Sequence, residues 1–149
     1  VRLVVAALWS LASVACFEAP LAVDVVTPVA DAGFDQRRFL GGSTSVTIDL
    51  DGRASCDPQG EDLVDIAWSL VEGPERPALV DADRLRGGVV LSTPGEYLFA
   101  LRVTTRAGGE VRESAPDYVS VRVLDGFGDD VVVRPPSTDA CGRTLSLDP

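Results

Sequence analysis

Five carboxylates within fourteen residues, Asp49, Asp51, Asp57, Glu61 and Asp62, are the densest group of chemically capable side chains in the chain. Oxygen donors crowded around one loop are what a Ca²⁺ site requires. Their spacing matches no EF-hand, and Asp in turn-rich sequence commonly caps turns and stays solvated. A second chemistry, glycoside hydrolysis, needs two acids flanking one bond. Glu61, Glu72, Glu75 and Glu96 supply the carboxylates, but short loops on a small domain leave no cleft for a sugar. The chain has no His, Lys, Asn or Met. That removes Ser-His-Asp triads, Cys-His dyads, Ser-Lys pairs, Schiff bases and histidine metal sites together. The expectation is a protein that is not an enzyme and has no cofactor, with Ca²⁺ at the acidic loop as the candidate ion.

Three cysteines carry the remaining chemistry. Cys16 ends an apolar run from Leu3 through Val14 that only Ser10 and Ser13 interrupt. The run is well short of the ~20 residues of a membrane-spanning helix, and it suits the apolar region of a secretory signal peptide over residues 1–15. Leu11-Ala12-Ser13-Val14-Ala15-Cys16 resembles a bacterial lipobox, which implies that Cys16 is lipidated and becomes the mature N-terminus. Ser13 stands where that motif usually has Leu; the alternative is an ordinary signal peptide with a cysteine near its cleavage site. Phe17 rather than Asp after the cysteine implies passage to the outer membrane. Export leaves Cys56 and Cys141 in a compartment that permits disulfides, where they either pair or remain two free thiols.

With 23 acidic and 13 basic residues the chain has a net charge of −10, and removing residues 1–15 takes it to −11. Such a charge repels phosphate backbones and anionic headgroups. Nucleic acid is therefore not expected as a partner. Membrane contact is expected through the N-terminal lipid, and an envelope protein or a glycan is the expected further partner.

These residues have to be positioned by strands. Val46, Ile48 and Leu50 alternate with Ser45, Thr47 and Asp49; Ile66, Trp68 and Leu70 recur at the same period against Asp65, Ala67 and Ser69, as do Tyr97, Phe99, Leu101 and Val103 on a longer segment, and Val119, Val121 and Val123 against Ser120 and Arg122. Period-two alternation predicts half-buried strands. Between them lie Gly41-Gly42, Asp57-Pro58-Gln59-Gly60, Gly73-Pro74, Gly87-Gly88, Pro94-Gly95 and Gly108-Gly109, read as turns that exclude long helices. Pro116 predicts a bulge or edge around Ser114 to Asp117. Arg37-Arg38 and Arg84 to Arg86 read as solvated surface charge. The pattern predicts an all-β chain of two packed antiparallel sheets with Greek-key connections, of immunoglobulin size. Trp68 is its central core residue.

Pro28 to Gln36, with its Gly33 bend, Asp51 to Gly60, Ala67-Trp68-Ser69-Leu70 and Thr93-Pro94-Gly95-Glu96-Tyr97 follow one another in an order and spacing that resemble PKD-like domains. That resemblance implies an immunoglobulin-like sandwich, a tyrosine corner at Tyr97, and a non-catalytic role in spacing, adhesion or contact with protein or glycan at a cell surface. The usual Trp-Asp-Phe-Gly-Asp-Gly of such domains is replaced by Trp68-Ser69-Leu70-Val71-Glu72-Gly73. The expected organisation is a leader over 1–15, a tether over 16–27, the sandwich over 28–124 and a partly ordered acidic, Pro-containing tail over 125–149.

Overall fold

The computed structural model describes residues 26–132 and 138–145; the leader, Cys16 and the tether up to residue 25 lie outside them. Among the described residues every regular element is a strand. In chain order these are β1 (Gln36–Phe39), β2 (Val46–Asp51), β3 (Leu63–Glu72), β4 (Leu79–Val80), β5 (Arg86–Leu91), β6 (Gly95–Ala107), β7 (Glu110–Glu113), β8 (Asp117–Leu124) and β9 (Val131–Val132). They form two sheets. One has the order β3-β6-β8-β1-β9 with β7 beside the far end of β6, and the other has the order β2-β5-β4. An immunoglobulin-like sandwich results.

The alternating residues supply the filling. Ile48 and Leu50 of β2 and Val89 and Leu91 of β5 meet Trp68, Tyr97, Phe99, Leu101, Val103, Val119, Val121 and Val123 from the larger sheet, all of them buried. Trp68 lies where the other sheet's side of the core has no side chains. A Cβ at Gly52 would fall 2.5 Å from Leu101 Cδ2 and 3.2 Å from Trp68 Cζ2, and one at Gly87 would fall 3.3 Å from Trp68 Cδ1. The indole Nε1 donates to Arg84 O at 3.0 Å, so the one polar atom of this side chain is satisfied.

Several sequence expectations change here. Gly87-Gly88 is not a turn but the middle of β5, pairing with Leu50 and Asp49; the missing side chain at Gly87 admits the indole. Gly60 has φ 83° as its turn requires. The larger sheet is mixed rather than antiparallel, because β1 runs parallel to β8, with Gln36 opposite Val121 and Phe39 opposite Leu124. The opening segment from Pro28 contributes only an isolated bridge, Val29 with Cys56, before β1 begins at Gln36. Arg38 is not free surface charge, since its Nη1 donates to Asp130 Oδ2 at 3.2 Å. Pro116 does mark a break: Ser114 to Pro116 separate β7 from β8, and Ser114 Oγ accepts the Val103 N–H at 3.1 Å where a strand would have provided a carbonyl.

The strand directions give the sandwich two ends. One end carries residues 52–62, the β6–β7 hairpin and the Val29–Cys56 bridge; the other carries residues 40–45, 73–78, 92–94 and 125–130. Trp68→Ala is expected to cost about 3–5 kcal/mol. Gly52→Ala, which adds one methyl where none fits, should cost about 1–3 kcal/mol. Urea unfolding followed by tryptophan fluorescence for Gly52→Ala and by circular dichroism for Trp68→Ala measures both.

Candidate functional site

The five acids proposed as a cation site do not come together. Asp49 and Asp51 sit two residues apart on β2, and Arg53 grips Asp51 with Nε donating to Oδ1 at 2.9 Å and Nη2 to Oδ2 at 2.7 Å. Asp57 is 1% exposed. Its Oδ1 accepts the Gln59 N–H at 2.7 Å and its Oδ2 the Thr105 hydroxyl at 3.0 Å. Glu61 and Asp62 stand exposed before β3. Among the described residues, the group of three metal-capable side chains with ligand atoms within 4.8 Å of one another is Cys56, Asp139 and Cys141. Its sulfurs are joined to each other, which takes away the thiolates a metal would need.

Burial raises the Asp51 pKa, and hydrogen bonds from the Arg53 side chain and backbone, with the charges of Arg53 and Arg86, more than offset this and leave the carboxyl below its ordinary range. Asp51 is a paired structural anion. Of the four acids considered for glycoside chemistry, Glu61, Glu72 and Glu96 are exposed, and Glu75 is committed to a different task.

Glu75 lies in the 73–78 connection and reaches across to the turn before β6. Its Oε1 accepts the N–H groups of Ser92 at 2.7 Å and Thr93 at 3.1 Å, and its Oε2 the hydroxyls of Ser92 at 2.7 Å and Thr93 at 3.0 Å. The Tyr97 hydroxyl lies 2.9 Å from Glu75 Oε1 and 2.7 Å from Thr93 O, sharing its single proton between two acceptors. The bond back to a carbonyl four residues upstream is a tyrosine corner, with a carboxylate added. The Ser92 N–H and hydroxyl lead the causes that hold the Glu75 carboxyl down to about 2. Burial, then the neighbouring Glu75, push the Tyr97 phenol up to about 12. The cluster locks the 73–78 segment to the start of β6; it leaves no oxygen free for a reacting group. Sequence gave no sign of Glu75 in this role, because its partners are 17 and 18 residues away.

The cysteines are brought together. Cys56 and Cys141 form a disulfide across a separation of 85 residues. Around it Val29 and Cys56 exchange backbone bonds of 2.7 and 2.9 Å, and Ala140 N donates to Ala54 O at 2.8 Å. Asp139 folds the tail loop, its Oδ1 accepting the N–H groups of Cys141 at 3.0 Å and Arg143 at 2.7 Å and its Oδ2 the Arg143 Nε at 2.8 Å. Burial raises the Asp139 pKa, and these bonds together outweigh it and lower the pKa. An Asp two residues before the N–H it accepts is a local turn signal that sequence does carry.

With this geometry in hand, the solution structure of the PKD domain from KIAA 1837 protein matches with a TM-score of 0.52 and 28% identity, over 67% of this chain and 89% of that one. The domain is PKD-like. No protein-family model and no curated protein matches the chain. An immunoglobulin-like fold of the PKD type is typically a non-catalytic interaction module.

Two outcomes follow for the PKD-like domain. The folded Glu75 carboxyl titrates near 2 and the free one near 4.5, so as pH falls the unfolded chain takes up this proton first. Its contribution to stability is complete above about 4.5 and is lost as pH falls through about 2. The melting temperature of Glu75→Gln should lie below that of the parent at pH 7, and the gap should narrow from pH 5 downward; a gap that holds constant to pH 2.5 contradicts the clamp. Cys141→Ser removes a closed loop of 85 residues and is expected to cost up to about 4.5 kcal/mol, read from denaturant midpoints.

Proposed function

We propose that this chain is a lipid-anchored envelope protein, attached through Cys16, and that its PKD-like domain is a pendant module that binds a protein partner outside the cytoplasm. The observation that carries the reading is the placement of the two chain segments that flank the sandwich. The N-terminal segment joins it at the Val29–Cys56 bridge, and the C-terminal segment is fastened at Cys141 to the same end. An in-line spacer is served by attachments at opposite ends. Attachment at one end leaves the loops 40–45, 73–78, 92–94 and 125–130 directed away from the tether.

Lipid anchoring rests on the Leu11-to-Cys16 motif and the apolar run before it. A diacylated cysteine holds a protein to a membrane without a spanning helix, since each buried methylene contributes ~0.8 kcal/mol. A disulfide between Cys56 and Cys141 fits an exported protein. An adhesion domain using Ca²⁺ at Asp49, Asp51, Asp57, Glu61 and Asp62 is the weaker reading, because Asp51 and Asp57 already spend their oxygens on Arg53, Gln59 and Thr105.

Expression in a Gram-negative host with radiolabelled palmitate tests the anchor. Label should enter the parent and be absent from Cys16→Ser. A parent that takes up no label, or a Cys16→Ser protein labelled as strongly as the parent, would overturn the anchor. Affinity capture from envelope extracts with the purified parent then tests binding, and a millimolar Ca²⁺ titration is expected to leave its melting temperature unmoved.

A further inference from the structure

Phe127 stands on the end of the sandwich that is directed away from the tether. It is 84% exposed, against 60% for Val111, the next most exposed large apolar residue among the described ones. A single exposed apolar residue is ordinary on a protein surface. What sets Phe127 apart is its mounting.

The 125–130 loop is fastened on both sides of the ring. Leu40 N donates to Leu124 O at 3.0 Å and Gly41 N to Gly126 O at 2.8 Å, so backbone bonds between the two segments continue beyond β1 and β8 to the residue before Phe127. After the ring, Asp130 accepts the Phe39 N–H at 3.0 Å through Oδ1 and Arg38 Nη1 at 3.2 Å through Oδ2. Strand β9 follows at once, with Val131 opposite Arg37. Gly126 takes a φ of 85°, which a side chain would resist. Gly128 lies so close on the Phe39 ring that no side chain fits between them. Phe39 therefore fills the base of the loop, and Phe127 is left outside it. Beside Phe127 run Gly41 and Gly42, and a Cβ at Gly42 would fall 3.4 Å from Phe127 Cζ. The ring is held from one side by bare backbone and is otherwise open to solvent. An aromatic side chain fixed in advance loses little freedom on binding, and such anchors dominate protein interfaces.

The surroundings decide the charge of the surface that covers it. Asp125 and Asp129, two residues to either side of Phe127, are exposed, and no ion pair or side-chain hydrogen bond among the described residues uses them. The four loops of this end carry Glu75, Asp125, Asp129 and Asp130 against Arg76 alone. The strand ends that border them add Glu72 and Glu96 against Arg38 and Arg122. Six acids thus stand against three arginines. A surface of the same sign is repelled, a second copy of this acidic end and an anionic lipid surface included, whereas a surface bearing Lys or Arg is drawn in.

We infer that Phe127 is the anchor of a protein-binding site, entering an apolar pocket of a partner protein whose rim carries Lys or Arg opposite Asp125 and Asp129. The inference rests on the reading of the domain as a module that binds a protein, and it gives that module a contact point and a partner chemistry. Gly41 and Gly42 let the rim of such a pocket come up against backbone without meeting side chains. The site does not depend on the lipid anchor.

The full chain with p-benzoylphenylalanine in place of Phe127, irradiated in envelope extract, tests it; the control carries the same group in place of Tyr118, on the outer face of the larger sheet. The expected result is one protein cross-linked from position 127 and not from position 118, displaced by excess parent chain. Its yield should fall as NaCl rises from about 0.05 to about 0.5 M, because the rim contacts are exposed charge pairs. In affinity capture, Phe127→Ser should retain at least about tenfold less of that protein than the parent does, the scale of an interface anchor. Asp125→Arg combined with Asp129→Arg should lose it as well. Melting temperatures of these variants should match the parent, since all three residues are exposed, which separates lost binding from lost folding. Capture that survives Phe127→Ser undiminished overturns the anchor and leaves the protein-binding reading standing. Capture of nothing by the parent overturns both, and a protein lost by Phe127→Ser but kept by the double Asp variant overturns the basic rim.

Discussion

The sandwich closes because an indole is allowed to lie against backbone. Trp68 projects from β3 toward the smaller sheet and occupies space that side chains at Gly52 and Gly87 would otherwise fill. Its ring nitrogen is tied to Arg84 O, and its own N–H donates to Ala82 O at 2.8 Å, so the 82–84 connection is drawn over the outer edge of β3. The other core residues pack as two alternating surfaces would anywhere. Without that contact the smaller sheet would lose the element that fixes its distance and its tilt.

Around that core, carboxylates do the work that Asn shares in most proteins. Asp31 accepts from Gly33 N, Asp117 from Ala32 N, Asp35 from Ser120 N, Asp130 from Phe39 N, and Glu75 and Asp139 from two backbone N–H groups each. Several of these span more than eighty residues of sequence and fasten loops rather than capping their own turn. The acidic composition is thus in large part architectural. A carboxylate accepting backbone N–H bonds makes stronger hydrogen bonds than a neutral amide oxygen, and it is also a poorer candidate for metal binding, since its lone pairs are taken.

What the sequence made legible was whatever repeats locally. Alternation marked β2, β3, β6 and β8, the strands that supply most of the core, and Trp68 and Tyr97 fell where the fold needs them. Strands without alternation were hidden: β5 begins with Arg86-Gly87-Gly88, which has the composition of a turn and becomes a strand only because an indole needs the space. β1 was hidden behind two arginines, and its parallel pairing with β8 cannot be seen in either segment alone. The same reason explains the candidate site. A cluster of acids is visible in sequence, but whether their oxygens are already spent on Arg53, Gln59 or Thr105 depends on partners brought up by the fold. Glu75 shows the converse, an unremarked residue whose importance comes entirely from a turn 17 residues later.

The disulfide has a mechanical meaning as well. A pull between the segment before Val29 and the segment after Cys141 travels along the covalent chain to Cys56 and then crosses directly to Cys141. Every strand from β3 to β9 lies inside the bypassed loop and bears no tension. Only β1, β2 and the Val29–Cys56 bridge stand in the line of force. The load falls first on the Val29–Cys56 bridge and on the pairing of β1 with β8 and β2 with β5, and the covalent path beyond Cys56 is spared for as long as the disulfide holds.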